Sequence, residues 1–472
     1  MPIEERSISF VPAHERHGRV IDQGVFWFLS NFHFFAIAIG FVGPSLGLSL
    51  GFTVLAGSLG ILIGTTFQAF HASQGAELGL PQMIQSRAQF GYRGVVVPLL
   101  AVFVSLVGYN VVATVILAEG LQTLWTLNRL STAIGLSLLA AVVAVWGYDM
   151  LHRVFRMLFW ISLPLFSLLS LAILAGKAGG TGVPAGGFNM VAFATQLVSA
   201  ASFNVTAAPY VSDYSRYLPT HTPRASIILN VFLGSASSAI WLIALGAWLA
   251  THMGLTDGLM ALKESGDAVI SGFGSLLAII STVALVATIG MNAYSAMLTL
   301  MTAVDSVNPL HPTRSLRIAF IALITLVWIV VAIAFGGNAI TYVNAMLVIM
   351  LYFLMPWTAV NLIDFFWLRR GRYSICDLFT PHGLYGAWGG RGLIAYAVGF
   401  ASSIPFFVVP NLYTGPIAAR LRGVDVGWLV SLLSASCVYL ISSWGFDLEE
   451  ESAAIASGNQ GANTARMSAE NS

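Results

Sequence analysis

Ten apolar runs decide what this chain can fold into. They cover 22–76, 94–118, 130–148, 157–176, 178–212, 225–256, 268–304, 318–363, 392–419 and 426–446, and carry no Asp, Glu, Lys or Arg beyond Asp22 at the edge of the first. A helix needs about 20 apolar residues to cross a bilayer. The first run is long enough for two helices, hinged near Gly51, and 318–363 for two more, split at Phe335-Gly336-Gly337-Asn338. Each other run holds one, so twelve spans are predicted. The residue-by-residue alternation of a barrel strand is absent. Only 9% of the 472 residues are charged, against roughly 25% in a soluble domain. The expected fold class is therefore an all-α polytopic membrane protein.

The same composition excludes other classes. A net charge of +1 without a basic block argues against a nucleic-acid partner. Two cysteines, Cys376 and Cys437, cannot form a disulfide framework. The N-terminal residues are polar and mixed in charge, without the basic-then-apolar order of a cleavable signal peptide. No P-loop, HExxH, GxSxG or zinc-spaced Cys/His cluster occurs, so neither a catalytic residue nor a metal site is expected. No ATP-binding motif is present, so energy for any transport must come from an ion gradient.

Arginine and lysine set the orientation. With the N-terminus cytoplasmic, 16 of the 21 basic residues lie inside, and Arg129, Lys177, Lys263, Arg420 and Arg422 lie outside. Both termini are expected in the cytoplasm of a multi-pass protein of the cell (inner) membrane. The chain then divides into a cytoplasmic segment 1–24, a transmembrane domain 25–446 and a disordered tail 447–472.

Two spans carry break signals at mid-membrane depth. Span 1 reads Ala36-Ile37-Ala38-Ile39-Gly40-Phe41-Val42-Gly43-Pro44, and span 6 reads Ser202-Phe203-Asn204-Val205-Thr206-Ala207-Ala208-Pro209. Broken helices are tolerated only where buried or lining a cavity. At matching places in two halves, they point to inverted repeats with a binding site between them. In span 8, Thr288, Asn292, Ser295 and Thr299 share one helical face. Their polar groups bond a ligand, an ion or a neighbouring helix. Tyr109 lies near the middle of span 3, and His33 is read as interfacial. Asp213 and Arg216, three residues apart, could pair within the chain or across a gate.

Four stretches carry a resemblance. They are 74–94 (QGAELGLPQMIQSRAQFGYRG), 209–219 (PYVSDYSRYLP), Asn292-Ala293-Tyr294-Ser295, and 356–364 (PWTAVNLID) followed by 369–373 (RRGRY). With them the chain resembles the nucleobase–cation symporter family, in its purine–cytosine permease branch. The resemblance implies a LeuT-type core, with spans 1–5 and 6–10 as inverted repeats and spans 11 and 12 added. It implies uptake of a heterocycle by alternating access with a proton or sodium ion, and no organic cofactor. In the family, rings from spans 3 and 6 sandwich the substrate, which points to Tyr109 and Phe203. Where relatives often have a Trp before the Pro-Tyr pair, this chain has Ala207 and Ala208. Asn204, Asn292 and the span 1 residues Ala38 and Gly40 complete the expected substrate site. Gly40, Thr288 and Ser295 are the candidate ion ligands, and Asp213 with Arg216 the candidate gate. The chemistry is consistent: aromatic faces stack on a planar base, and an amide offers a donor and an acceptor to its edge. Other solutes of the same fold (allantoin, a hydantoin, a vitamin) remain open, as do a membrane-embedded enzyme and a sensor.

Overall fold

In the computed structural model, residues 3–456 are described apart from 181, 183–185, 255–256, 335–338 and 411. Span 1 is a bent pair, Val20–Asn31 and Phe34–Ser45, with a 63° angle between its halves. Spans 2 to 5 are Leu50–Leu78, Val96–Trp125, Arg129–Trp146 and Tyr148–Leu174. Span 6 runs as helix over Met190–Val205, then as a 3-10 turn over Ala208–Tyr210 and a last helical turn over Ser212–Ser215. Spans 7 to 10 are Arg224–Met253, Phe273–Val307, Arg314–Ala334 and Ala339–Leu362. An amphipathic helix, Gly258–Val269, packs on span 8.

Among the described residues, nine helices are long and apolar enough to cross a membrane, or ten with the bent pair as one span. The expected spans 11 and 12 appear as shorter helices of 14 and 16 residues, Gly390–Ser403 and Gly427–Ser442. Proline explains the first: Pro405 turns the chain into a 3-10 turn before a two-strand ribbon, Val408–Val409 with Tyr413–Thr414. The expected split at 335–338 lies outside the described residues. So do residues 457–472 of the expected disordered tail. Residues 448–456 are helical rather than loose, and Glu451 bonds Arg369 at 2.6 Å.

Small residues let the spans cross closely. A methyl on Gly60 or Gly64 of span 2 would run into the carbonyls of Leu197 and Ala201 in span 6. Gly246 of span 7 stands equally close to the carbonyl of Ile37 in span 1. In lipid, packing of this kind replaces the hydrophobic drive between helices.

Three of the resemblance stretches meet in one polar layer. Arg87 is fully buried and donates to Asp305 of span 8 at 2.7 Å. Gln74 donates to Asn361 of span 10 at 2.8 Å, and the backbone N–H of Gln82 donates to Asp213 at 3.1 Å. Asp364 accepts from Gln89, Tyr373 and Tyr439 and pairs with Arg369. These residues tie the end of span 2 to spans 6, 8 and 10.

Candidate substrate site

The break in span 1 lies at Phe32 and His33, ahead of the Gly40–Pro44 stretch that suggested it. His33 is extended (φ −149°, ψ 167°). The groups freed by the break are satisfied from span 8 and from within the break. Ser281 Oγ accepts from the Phe34 N–H at 2.7 Å. The Ser30 carbonyl accepts from His33 Nε2 at 3.0 Å and from Thr288 Oγ1 at 3.4 Å. His33 is fully buried, about 20 Å along span 1 from Val20 at 1.5 Å per residue. It is enclosed within the helical bundle rather than exposed at an edge of it.

Three rings meet beside this break. Tyr109 and Phe203 are both buried. Phe35 touches each of them: its centroid is 4.9 Å from Tyr109 and 6.1 Å from Phe203, with only 16° between the planes of Phe35 and Phe203. The two expected clamp rings therefore do not face each other across an open gap. A ring from the second half of span 1 contacts both. On the other side of the break, Trp27 packs near Tyr210 and Tyr214, at 6.2 and 5.8 Å.

Three of the buried polar atoms without a partner among the described residues lie on these same spans. Asn292 is buried one turn beyond Thr288, and its Oδ1 has no hydrogen-bond partner. The same holds for Trp27 Nε1 before the break and His33 Nδ1 within it. Each orphaned group costs about 1–3 kcal/mol relative to a bonded one. Orphaned donors and acceptors beside stacked rings are what a planar, polar-edged solute would satisfy. Sequence reasoning missed Trp27, Phe35 and the buried place of His33. The run Phe26-Trp27-Phe28 was a visible aromatic cluster, but nothing in its spacing located the break.

The other predicted residues are placed as follows. Asn204 is engaged elsewhere: it accepts from Asn31 Nδ2 at 2.9 Å and donates to Thr65 Oγ1 at 2.6 Å, in a buried cluster with Ser235. Ala38 is half-buried on the second half of span 1. Gly40 packs against the backbone of Ile243 and Ala247 in span 7. Thr288 faces Ser30 and the carbonyl of Ala284, while Ser295 Oγ contacts the Tyr214 hydroxyl at 3.1 Å, two turns away. Gly40, Thr288 and Ser295 thus have separate partners rather than one shared cage. Thr299 bonds back to the Ser295 carbonyl.

The expected Asp213–Arg216 pair is replaced by a pair with the N-terminal segment. Arg216 Nη2 donates to Glu4 at 2.8 Å, and Arg317 of span 9 lies 3.2 Å from the same carboxylate. Tyr217, Tyr294 and the Tyr148 N–H also donate to it. Burial pushes the Glu4 carboxyl up, but Arg317 and Arg216 outweigh it and hold it below the ordinary carboxylate range. Residues 4–17 form a strap. Ile8 and Val11 are buried beneath it, and Arg16 donates to the Ala76 carbonyl at the end of span 2. The sequence offered one hint, an acidic residue in a segment facing a basic membrane side.

A buried site of stacked rings and unpaired polar atoms, set between two broken helices in an apolar helical bundle, is the arrangement of a membrane transporter. Residues 10–431 match the family described as permease for cytosine/purines, uracil, thiamine, allantoin, and the chain belongs to that family. It is 32% identical over 445 residues to the Bacillus subtilis (strain 168) protein YxlA, named as a purine-cytosine permease, covering 93% of this chain and 96% of that one. It is 26% identical to the purine-cytosine permease fcyB of Emericella nidulans, over 93% of this chain and 88% of that one. Among solved structures it is similar to Mhp1, a nucleobase-cation-symport-1 family transporter, in a closed conformation with bromovinylhydantoin bound. The TM-score is 0.73 at 17% identity, over 94% of this chain and 96% of that one. The fold is that of Mhp1, and the chain is a transporter and not an enzyme.

Proposed function

We propose that this protein imports a nucleobase or a closely related nitrogen heterocycle together with a proton or sodium ion, by alternating access. The observation that carries this is the group of Tyr109, Phe35 and Phe203 beside the break of span 1, with Asn292 Oδ1 unpaired. Tyr109 and Phe203 stack on the faces of a base, at about 1–3 kcal/mol each, once Phe35 between them gives way. The Asn292 amide, Trp27 Nε1 and His33 Nδ1 supply edge groups without a net charge. Permease names among the relatives support the same solute class. Spans 1–5 and 6–10 are read as inverted repeats in a twelve-span scheme with cytoplasmic termini, the broken spans 1 and 6 opening each repeat. Binding of a hydantoin by Mhp1, with Ala207 and Ala208 beside the span 6 break, favours including hydantoins and allantoin among the solutes to be tested.

Uptake by proteoliposomes against a panel of cytosine, purines, uracil, allantoin and hydantoins tests the proposal. Accumulation of one class is expected, and is expected to vanish when the proton and sodium gradients are both collapsed. Unchanged accumulation without gradients would overturn the coupling. Sodium stimulation at fixed pH and potential, lost in Thr288→Ala, would assign sodium as the coupling ion.

A further inference from the structure

A second cleft, about 620 Å³ in volume, lies away from the candidate substrate site, at the membrane edge where the N-terminal segment enters span 1 beside span 5. Arg19, Arg153 and Arg156 line it, with His17, Asp22 and Asp149. Asp22 holds two of the arginines side by side: Arg156 Nη2 lies 3.0 Å from one carboxylate oxygen and Arg19 Nε 3.9 Å from the other. His17 Nε2 is bonded to Asp149 at 3.0 Å. Arg153 is exposed and has no ion pair within 4.0 Å among the described residues. Three guanidiniums thus share one cleft with two carboxylates that are already engaged, which leaves positive charge turned outward.

The helix face below the cleft changes character in a definite order. Arg153, Met157, Trp160 and Leu171 fall on one face of span 5 by helical spacing. Met157 is 55% exposed, Trp160 65% and Leu171 64%. From Arg153 to Trp160 is about 10 Å, and from Arg153 to Leu171 about 27 Å, at 1.5 Å per residue. Charge, then Met157 and the Trp160 indole about 10 Å deeper, follow the order of headgroup and upper acyl region in one leaflet, which is about 20 Å deep, whereas Leu171 lies beyond it.

We propose that this cleft is a binding site for an anionic phospholipid of the leaflet on the N-terminal side. The phosphate is held by Arg153 and Arg156 with Arg19, and one acyl chain starts along Met157 and Trp160. Guanidiniums suit phosphate because their planar donors match its oxygens. The site spans the joint where Asp22 of span 1 meets Arg156 of span 5, so an occupying lipid braces these two spans together.

The test uses the intact protein in neutral detergent, with thermal stability followed as phosphatidylglycerol is added. A saturable rise in Tm is expected with phosphatidylglycerol. It is not expected with phosphatidylcholine, or with inorganic phosphate at equal concentration. The double variant Arg153→Gln/Arg156→Gln is expected to need roughly 25-fold more phosphatidylglycerol, from about fivefold per arginine near a lipid surface. An unchanged requirement overturns the site, and a rise with inorganic phosphate shows a soluble-anion site instead. Should the double variant not fold, the unaltered protein decides the matter with a photoreactive phosphatidylglycerol. Adducts on the segment 148–160 support the site, and labelling confined to other segments overturns it.

Discussion

Phe35 makes the substrate site testable one residue at a time. Its ring contacts both Tyr109 and Phe203, so a ligand ring that stacks on either must compete with it. An aromatic pair contributes about 0.5–1.5 kcal/mol beyond burial. Phe35→Ala is therefore expected to tighten heterocycle binding by roughly 2- to 10-fold, while Tyr109→Ala weakens it by roughly 5- to 150-fold. Asn292→Ala is expected to weaken it as well, because the substrate edge is then left unpaired in a dry site. Equilibrium binding at matched protein concentration checks all three, and affinities of Tyr109→Ala and Asn292→Ala equal to that of the unaltered protein would move the site elsewhere. Glu4 is the residue that closes the N-terminal strap. Removing it leaves Arg216 and Arg317 buried without their carboxylate, and breaking a buried pair costs about 3–5 kcal/mol. Ser7 is buried under the strap; a Ser7→Cys reporter should label slowly, and Glu4→Gln should speed it. The Glu4 pKa is depressed from 4.5, so its stabilisation is complete above that value and is lost as pH falls through the lower folded value. Labelling of the reporter, taken at each pH relative to a fully exposed cysteine because only the thiolate reacts, should accordingly stay flat from about pH 8 to about pH 5 and rise only in stronger acid.

Span crossings are where element-level substitutions should matter most. Gly64 of span 2 meets the Ala201 carbonyl of span 6 so closely that no Cβ fits. Gly64→Leu must push span 6 outward next to Phe203, and overpacking typically costs about 1–3 kcal/mol. A lower Tm together with weakened substrate binding is expected, while Gly135→Leu, in open space on span 4, should change neither. The same crossings explain what was legible in the sequence. Charge-free runs located the long helices because lipid leaves no other use for them. The span 6 interruption was readable because Ala208–Tyr210 contains Pro209 at its start. The span 1 break was placed too late. Gly40 and Gly43-Pro44 have the composition of a break, yet Gly40 serves a close crossing with span 7. The actual break, at Phe32 and His33, holds neither Gly nor Pro. It persists because Ser281 and Thr288, some 250 residues away in sequence, bond its freed groups. Such a long-range match has no periodic signature. Tyr109 and Asn292, expected as substrate residues, are both buried, whereas Phe35 looked like one apolar residue among many.

At the scale of the molecule, the two ends of span 8 fix which loops share a side. Span 8 has 35 residues, about 52 Å at 1.5 Å per residue, more than the roughly 40–45 Å of a whole bilayer with its headgroups. Lys263 precedes it, on the helix Gly258–Val269, and Arg314 follows it, so the two lie on opposite faces. The strap joins the N-terminus to the Arg314 face, through Glu5 with Arg314 and Glu4 with Arg317. Arg216 is bound to the same strap, which gathers basic residues from spans 6 and 9 around it. In the proposed twelve-span scheme 16 of 21 Lys and Arg fall on that side, and the positive-inside bias then predicts that it is cytoplasmic. Single-cysteine variants in intact cells, with Cys376 and Cys437 first replaced, should therefore react with a membrane-impermeant reagent at Lys263→Cys and not at Arg314→Cys. The Arg314 site should become reactive only after the cells are opened. Reaction at Arg314→Cys in sealed cells, with Lys263→Cys protected, would invert the topology and with it the direction of import.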